Sequence, residues 1–315
     1  MKRFKILALI LAVITLFGLV SCKKDAKTIY TVSAPDGAPV MAIAELMKND
    51  DKYSCDIISA SDVSATLTKG EKDFVIAPTN AGMMISMKTG NYKICAVTSW
   101  GNLYIVAKSE AVFDKENMTC LQFLSQFSGK NAYSIGVNAV PDKTFKYLLS
   151  KAGVSDCTIN YAEAPQILAG LKNGTIDYAI LGEPAVTNAS MNVDGLKILC
   201  SISDLWEKSE NKRFPQASVF AKSNLKDSVI NDFLDRVNKS INYLNASEDN
   251  ALELGNFMEQ TGKSSLKGAV VKKAYLRMNQ NFVTAINCKD EIIEFVKVLG
   301  VNYTEENSSV FYGKN

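Results

Sequence analysis

From Thr28 onward, short apolar runs alternate with stretches whose apolar side chains recur at helical spacing. The runs predict strands and the spaced stretches predict helices buried on one face. Strands are expected over 28–34, 53–59, 73–77, 93–99 and 103–107, with helices over 39–48, 62–69 and 81–89 between the first four. A second series starts at 120–127. It continues through strands 132–137, 158–162, 176–181 and 197–202, with helices 141–151, 166–172 and 185–191 between them. A further strand is expected over 217–221. The tail then reads as helices 227–245, 248–260, 266–279 and 289–299. This alternation is the signature of an α/β fold with parallel sheets.

The two series resemble each other. Gly70-Glu-Lys-Asp73-Phe-Val-Ile76-Ala-Pro-Thr-Asn-Ala81 aligns with Gly174-Thr-Ile-Asp177-Tyr-Ala-Ile180-Leu-Gly-Glu-Pro-Ala185. Upstream, Pro39 and Pro141 each open a helix, a position where the missing N–H of proline costs nothing. Two βαβ lobes of similar build are therefore expected. Each such unit must read as strand, turn and helix, so likeness by common pattern alone remains the alternative.

Ahead of these series, Lys2, Arg3 and Lys5 precede an apolar run from Ile6 to Val20, broken only by Thr15 and Gly18. A charged start, a short apolar run and a small residue read as an export signal. The run is short for a membrane span of about 20 residues. Leu19-Val20-Ser21-Cys22 resembles a bacterial lipobox, which makes Cys22 the expected lipidated first residue of the mature chain. The signal is then 1–21, with an anchor linker over 22–27.

Composition narrows the function. Three of the 35 basic residues lie in the signal, leaving 32 against 33 acidic ones. A nearly neutral chain argues against nucleic acid as a partner, since phosphate contacts need a basic excess. The chain has no histidine, which removes Ser-His-Asp and Cys-His catalysis and histidine-ligated zinc. No enzymatic activity, cofactor or metal is expected. Cys55, Cys95, Cys120, Cys157, Cys200 and Cys288 show no paired CxxC spacing. Buried thiols are favoured over bridges, although an even count outside the cytoplasm also permits disulfides.

Five loops fall at the carboxyl ends of expected parallel strands, where open α/β sheets bind ligands. They are Ala34-Pro35-Asp36-Gly37-Ala38, Ala77-Pro78-Thr79-Asn80, Trp100-Gly101-Asn102, Gly136-Val137-Asn138-Ala139-Val140 and Gly182-Glu183-Pro184. Four feed helix N-termini, which favour anions. Each residue also has a plain structural reading, as a cap, a turn former or core. Taken together they nominate Asp36, Gly37, Ala38, Thr79, Asn80, Trp100, Gly101, Asn138, Ala139, Val140 and Glu183 as ligand-binding residues.

These loops carry a family resemblance. Ala34-Pro35-Asp36-Gly37-Ala38-Pro39, Asp73 to Asn80, Asp177 to Pro184, Pro215-Gln216 and Val310-Phe-Tyr312 resemble, in order and spacing, the periplasmic substrate-binding proteins of ABC importers. The likeness is to the nitrate/sulfonate/taurine group, which includes binders of thiamine precursors. It implies a two-lobed periplasmic-binding-protein-like fold of type II, with two crossings between the lobes and a helical C-terminal tail. It adds Gln216 to the candidate site and implies hinges at 108–111 and 221–224. Lobe 1 is then 28–107 plus 216–315, and lobe 2 is 108–215. The implied partners are a small solute, a membrane permease with its cytoplasmic ATPase, and the membrane reached through the lipid. The implied location is extracytoplasmic, on the periplasmic side or the cell surface. A solute sensor or an enzyme of the thiamine-pyrimidine or menaquinone pathway would share the fold; the export signal and the missing histidine count against an enzyme.

The ligand stays open. Of Arg3, Arg213, Arg236 and Arg277, none lies in the five loops, so no guanidinium clamp on a carboxylate or sulfonate is evident. Asp36 and Glu183, with Trp100 and Tyr104 near, suit a nitrogen-containing organic solute. Nitrate or a small sulfonate would instead use backbone N–H groups, hydroxyls such as Thr79 and Thr144, and Lys143 as a point charge.

Overall fold

The computed structural model describes residues 28–108, 111 and 118–313. The export signal, Cys22 and its linker lie outside the described residues, as do positions 109 and 110 of the expected first hinge. Among the described residues, no helix is long and apolar enough to cross a membrane.

Two sheets organise the chain. The first has six strands: β1 (Tyr30–Pro35), β2 (Tyr53–Ile58), β3 (Phe74–Pro78), β4 (Tyr92–Ser99), β10 (Ala217–Lys222) and β11 (Gln280–Thr284). Their order is β11-β4-β10-β3-β1-β2. The second has five: β5 (Leu103–Ala107), β6 (Asn131–Ser134), β7 (Thr158–Tyr161), β8 (Tyr178–Gly182) and β9 (Lys197–Ser201). Their order is β7-β6-β8-β5-β9. The central strands alternate their buried faces. In β3, Phe74 and Ile76 enter one core while Val75 and Ala77 enter another. In β8, Tyr178 and Ile180 do the same against Ala179 and Leu181. Strands covered on both faces read as continuous apolar runs, which is why the sequence shows them clearly.

The sheets have one plan. In the first, β3 lies between parallel β1 and antiparallel β10. In the second, β8 lies between parallel β6 and antiparallel β5. Each sheet takes its antiparallel strand from the other half of the chain. The aligned glycines share a role as well: Gly70 and Gly174 both end a helix in the left-handed conformation, at φ 67° and 76°.

This exchange corrects the expected hinges. Strand β5 pairs with β8 and β9, so the first passage between sheets is Trp100–Asn102, not 108–111. The return runs from the helix Ile202–Glu210 into β10, through 211–216. Ala221 sits at the far end of β10, paired with Phe74 and Lys93, so 221–224 is not a crossing. Other differences are local. The expected helix 39–48 is two pieces, Ala38–Met41 and Ala44–Asn49. The expected helix 266–279 is Gly268–Ala274 followed by a 3₁₀ turn, Tyr275–Met278. The pattern did not show β11 or the helix Ile202–Glu210.

The six cysteines carry no bridge among the described residues. Burial pushes the thiols of Cys55, Cys95 and Cys288 up to about 12, so they behave as small apolar groups.

One side of the first sheet is covered by the helices Asp227–Ala246 and Glu248–Gln260, with Phe233 stacked on Phe74 at 3.9 Å between centroids. The other is covered by Val63–Lys69, Thr79–Thr89 and Lys289–Val298. The helix Thr79–Thr89 lies very close to β10: a Cβ on Gly82 would fall 2.1 Å from Phe220 Cζ. Gly82→Ala therefore forces a helix or ring displacement in a packed core. A loss of about 1–3 kcal/mol is expected, read as a lowered urea midpoint; an unchanged midpoint contradicts this packing.

Candidate functional site

Strand register brings the nominated loops into two rows. In the first sheet, Pro78 pairs with Ala217, Ala217 with Ser99, and Ser99 with Gln280. Extending the parallel β1–β3 register from Ser33 and Val75 places Asp36 beside Pro78. In the second sheet, Gly182 pairs with Leu103, and the β6–β8 register carries Gly136 alongside Gly182. The passage Trp100–Asn102 joins these two edges, so the strand ends of the lobes meet across one cleft.

Polar side chains lock the crossing. Asn102 donates its backbone N–H to Gln216 Oε1 at 2.9 Å, and Gln216 Nε2 donates to Asn102 Oδ1 at 2.7 Å. Gln216 also donates its N–H to Ser99 O, and its carbonyl accepts from the Thr79 N–H. The Thr79 hydroxyl bonds that of Ser218 at 2.8 Å. The N–H and the hydroxyl of Thr79 are thus both engaged inside the protein. Trp100 is buried. It donates Nε1–H to Asn281 O at 2.8 Å, and the Arg213 guanidinium lies 3.9 Å from its ring centroid. Gly101, at φ 81°, leaves no room for a side chain beside Ser203 and Phe214.

The two nominated carboxylates have internal partners. Asp36 accepts from Ser264 Oγ at 2.6 Å, from Ser265 N and Oγ at 2.8 and 2.6 Å, and from Gly37 N at 3.0 Å. Burial opposes its charge, but these hydrogen bonds hold its pKa below the ordinary value. Gly37 takes φ 98° at the turn, and Ala38 is buried with its carbonyl accepting from Gln280 Nε2 at 2.8 Å. Glu183, whose side chain has no exposed surface, pairs with Arg277 Nε at 2.6 Å. It also accepts from the Thr187 hydroxyl and N–H at 2.9 and 3.0 Å. Arg277 NH2 reaches Thr187 Oγ1 at 2.6 Å, and the Arg277 carbonyl accepts from Tyr104 OH at 3.1 Å. Burial first, then the charge of Glu183, push Tyr104 up to about 12, so it is a neutral donor.

In the second lobe, exposed Asn138, at φ 60°, donates its N–H to Asp142 at 2.8 Å. Ala139 caps the helix that Val140 begins. Lys143 donates to Leu299 O at 2.6 Å rather than pointing a free charge at the cleft. The helix N-termini are accordingly less open to an anion than the loops predicted: Gln216, Asp142 and Glu183 each take a backbone N–H there.

Sequence reading missed Arg277, Gln280 and Asn102. Arg277 is 94 positions from Glu183, and nothing local marks it as a cleft residue. Two side-chain oxygens at the ends of the first-sheet strands are buried with no partner in the protein, Asn80 Oδ1 and Gln280 Oε1; Thr144 Oγ1, inside the helix Val140–Lys151, is a third such atom. A groove of about 520 Å³ lies between the helix Ala185–Asn192 and the tail, with Thr187, Met191, Lys272 and Arg277 among its walls and none of the nominated residues lining it. That volume suits a small molecule.

No family model matches the chain, and no curated protein matches it. Similar solved structures include an ABC transporter from Parabacteroides distasonis, with TM-score 0.71 and 23% identity over 90% of this chain and 95% of that one. The periplasmic aliphatic sulphonate binding protein of Escherichia coli has TM-score 0.67 and 14% identity, covering 91% and 93%. The periplasmic nitrate-binding protein of Synechocystis PCC 6803 has TM-score 0.60 and 13% identity, covering 90% and 85%. The fold is that of the periplasmic binding proteins.

The Arg277–Glu183 pair generates a test. Arg277→Met leaves a fully buried carboxylate without its cation, at a cost of about 3 kcal/mol. Adding Glu183→Gln should recover much of that loss, because the charge to be desolvated is gone. Urea unfolding of both single variants and the double variant measures the coupling; strictly additive losses would mean the pair does not act as a unit.

Proposed function

We propose that the chain is the extracytoplasmic solute-binding component of an ABC importer, a lipoprotein that holds a small organic solute between its lobes and delivers it to a membrane permease. The observation that carries this reading is the meeting of two strand-end rows across one cleft, on a fold shared with periplasmic binding proteins. A cleft built from two halves gives a solute its full set of contacts only when the halves are together. Binding then favours the closed form by its differential affinity alone. The reading is of capture without turnover: Asp36 and Glu183, the carboxylates at the cleft, are held by hydrogen bonds rather than poised for proton transfer. The solutes named for the similar structures, aliphatic sulphonates and nitrate, set the size range. The sequence of the N-terminus supports the anchor, with Cys22 as the acylated residue and the membrane reached through lipid.

Small-angle scattering tests the clamp. A solute that raises the melting temperature in a screen should also reduce the radius of gyration, as hinge closure does. Stabilisation without compaction would argue for a rigid pocket and against delivery by opening and closing.

Fractionation tests the anchor. Cys22→Ala should move the protein to the soluble fraction or leave the signal uncleaved. An acyl-free mature N-terminus elsewhere in the native protein would remove the lipoprotein assignment.

A further inference from the structure

Gln280 begins β11 in the same register row as Ser99, Ala217 and Pro78. It is 4% exposed. Its Nε2 donates to the Ala38 carbonyl at 2.8 Å, and that contact fixes the amide: turning it over would set two carbonyl oxygens against each other. Oε1 is therefore held as an acceptor, and it has no donor in the protein. Asn80, at the next strand end but two along the row, has a buried Oδ1 that also lacks a donor. A buried acceptor left unpaired is costly, so such atoms at a ligand cleft are places where a ligand donor is favoured.

The charges around the rows point the same way. Arg277 is paired with Glu183, Arg213 is bidentate to Glu291 at 2.9 and 3.0 Å, and Lys143 is held by Leu299 O. Asp36 is saturated by Ser264, Ser265 and Gly37. Each charge at the rows already has a partner, whereas carbonyl acceptors do not. An oxyanion brings only acceptors and would face the fixed Gln280 Oε1 unfavourably, whereas the Asn80 amide has no partner that fixes which end it presents.

We propose that Gln280 Oε1, with the Asn80 amide on the same row, reads an uncharged solute carrying N–H donors, of the amide, urea or amino-heterocycle class. This rests on the solute-binding reading and narrows its ligand.

The test is a melting-temperature and calorimetry panel on the purified protein. Urea, nicotinamide, cytosine and adenine are the donor probes; nitrate, methanesulfonate and sulfate are the oxyanions. At least one donor probe should stabilise the protein, and none of the oxyanions should. Gln280→Met keeps the side-chain bulk without the acceptor and should weaken that probe at least about tenfold. Asn80→Ala, at a half-buried position, provides a second reading should Gln280→Met fold poorly, with a similar weakening. Stabilisation by an oxyanion, with affinity unchanged in both variants, overturns the donor assignment and leaves solute binding intact. Failure of every donor probe overturns it as well.

Discussion

Everything in this molecule is arranged around the three residues Trp100, Gly101 and Asn102, which must carry the chain from the end of one sheet into the middle of the other. Gly101 achieves the turn at φ 81° only because it has no Cβ; one would lie 2.8 Å from Ser203 and 2.9 Å from Phe214. The passage delivers β5 between β8 and β9. Without it, the edges of both strands would hold backbone N–H and C=O groups with no partner inside a core. The return through 211–216 does the same for β10 between β3 and β4. Neither lobe can complete its sheet from its own half of the chain. The exchange also places the candidate site, because the point where strands change lobes is the point where both sets of strand ends converge.

The tail is the second tie between the lobes. Strand β11 extends the first sheet, while Arg277 just before it reaches Glu183 of the second lobe. Further on, Phe295 packs against Phe214 and Trp206 at 4.7 and 5.5 Å between centroids, and Glu291 holds Arg213. These two contacts differ in kind. The aromatic cluster is non-directional and tolerates sliding. The Arg277–Glu183 pair is directional and includes a carboxylate with no exposed surface, so a small separation of the rows replaces a compensated charge by an uncompensated one.

The sequence revealed the strands well and their partners poorly. Strands such as Phe74–Pro78 and Tyr178–Gly182 are covered on both faces, so their apolar runs are unbroken and their ends are visible. Leu103–Ala107 is just as visible, yet the hinge at 108–111 implied by the family resemblance puts it in the first lobe. Nothing local says that this one crosses. Strand β11 was hidden because Gln280-Asn-Phe-Val-Thr284 lies at a sheet edge with an exposed Asn281, so half its pattern is missing. The loops of the site were legible from their position after strands. The states of their side chains were not. Glu183 looked like a free carboxylate because its cation arrives from the far end of the chain. Trp100 looked like a ring face for a ligand, but that face is occupied by Arg213.

Those hidden partners change what the cleft can recognise. Read from the loops alone, two acids and several helix N-termini offer attraction to either sign of charge. With Arg277, Ser264, Ser265 and Asp142 in place, the strong electrostatic groups are satisfied internally, and the strand ends keep unused capacity in the Gln280 and Asn80 amides. Charged contacts would provide affinity at the expense of breaking a pair already formed, a poor exchange in a buried site where either ion must be desolvated again. Neutral hydrogen bonds avoid that cost, because they fill capacity the protein leaves unused. In the proposed clamp, the interlobe pair acts on closure rather than on recognition. It joins residues of opposite lobes, so it favours the closed form whether or not a solute is present. A closed form populated in advance lowers the conformational cost of binding, and apparent affinity improves in proportion to that population. On the proposed reading, selectivity and closure rest with different residues: Gln280 and Asn80 for the solute, Arg277 and Glu183 for the clamp.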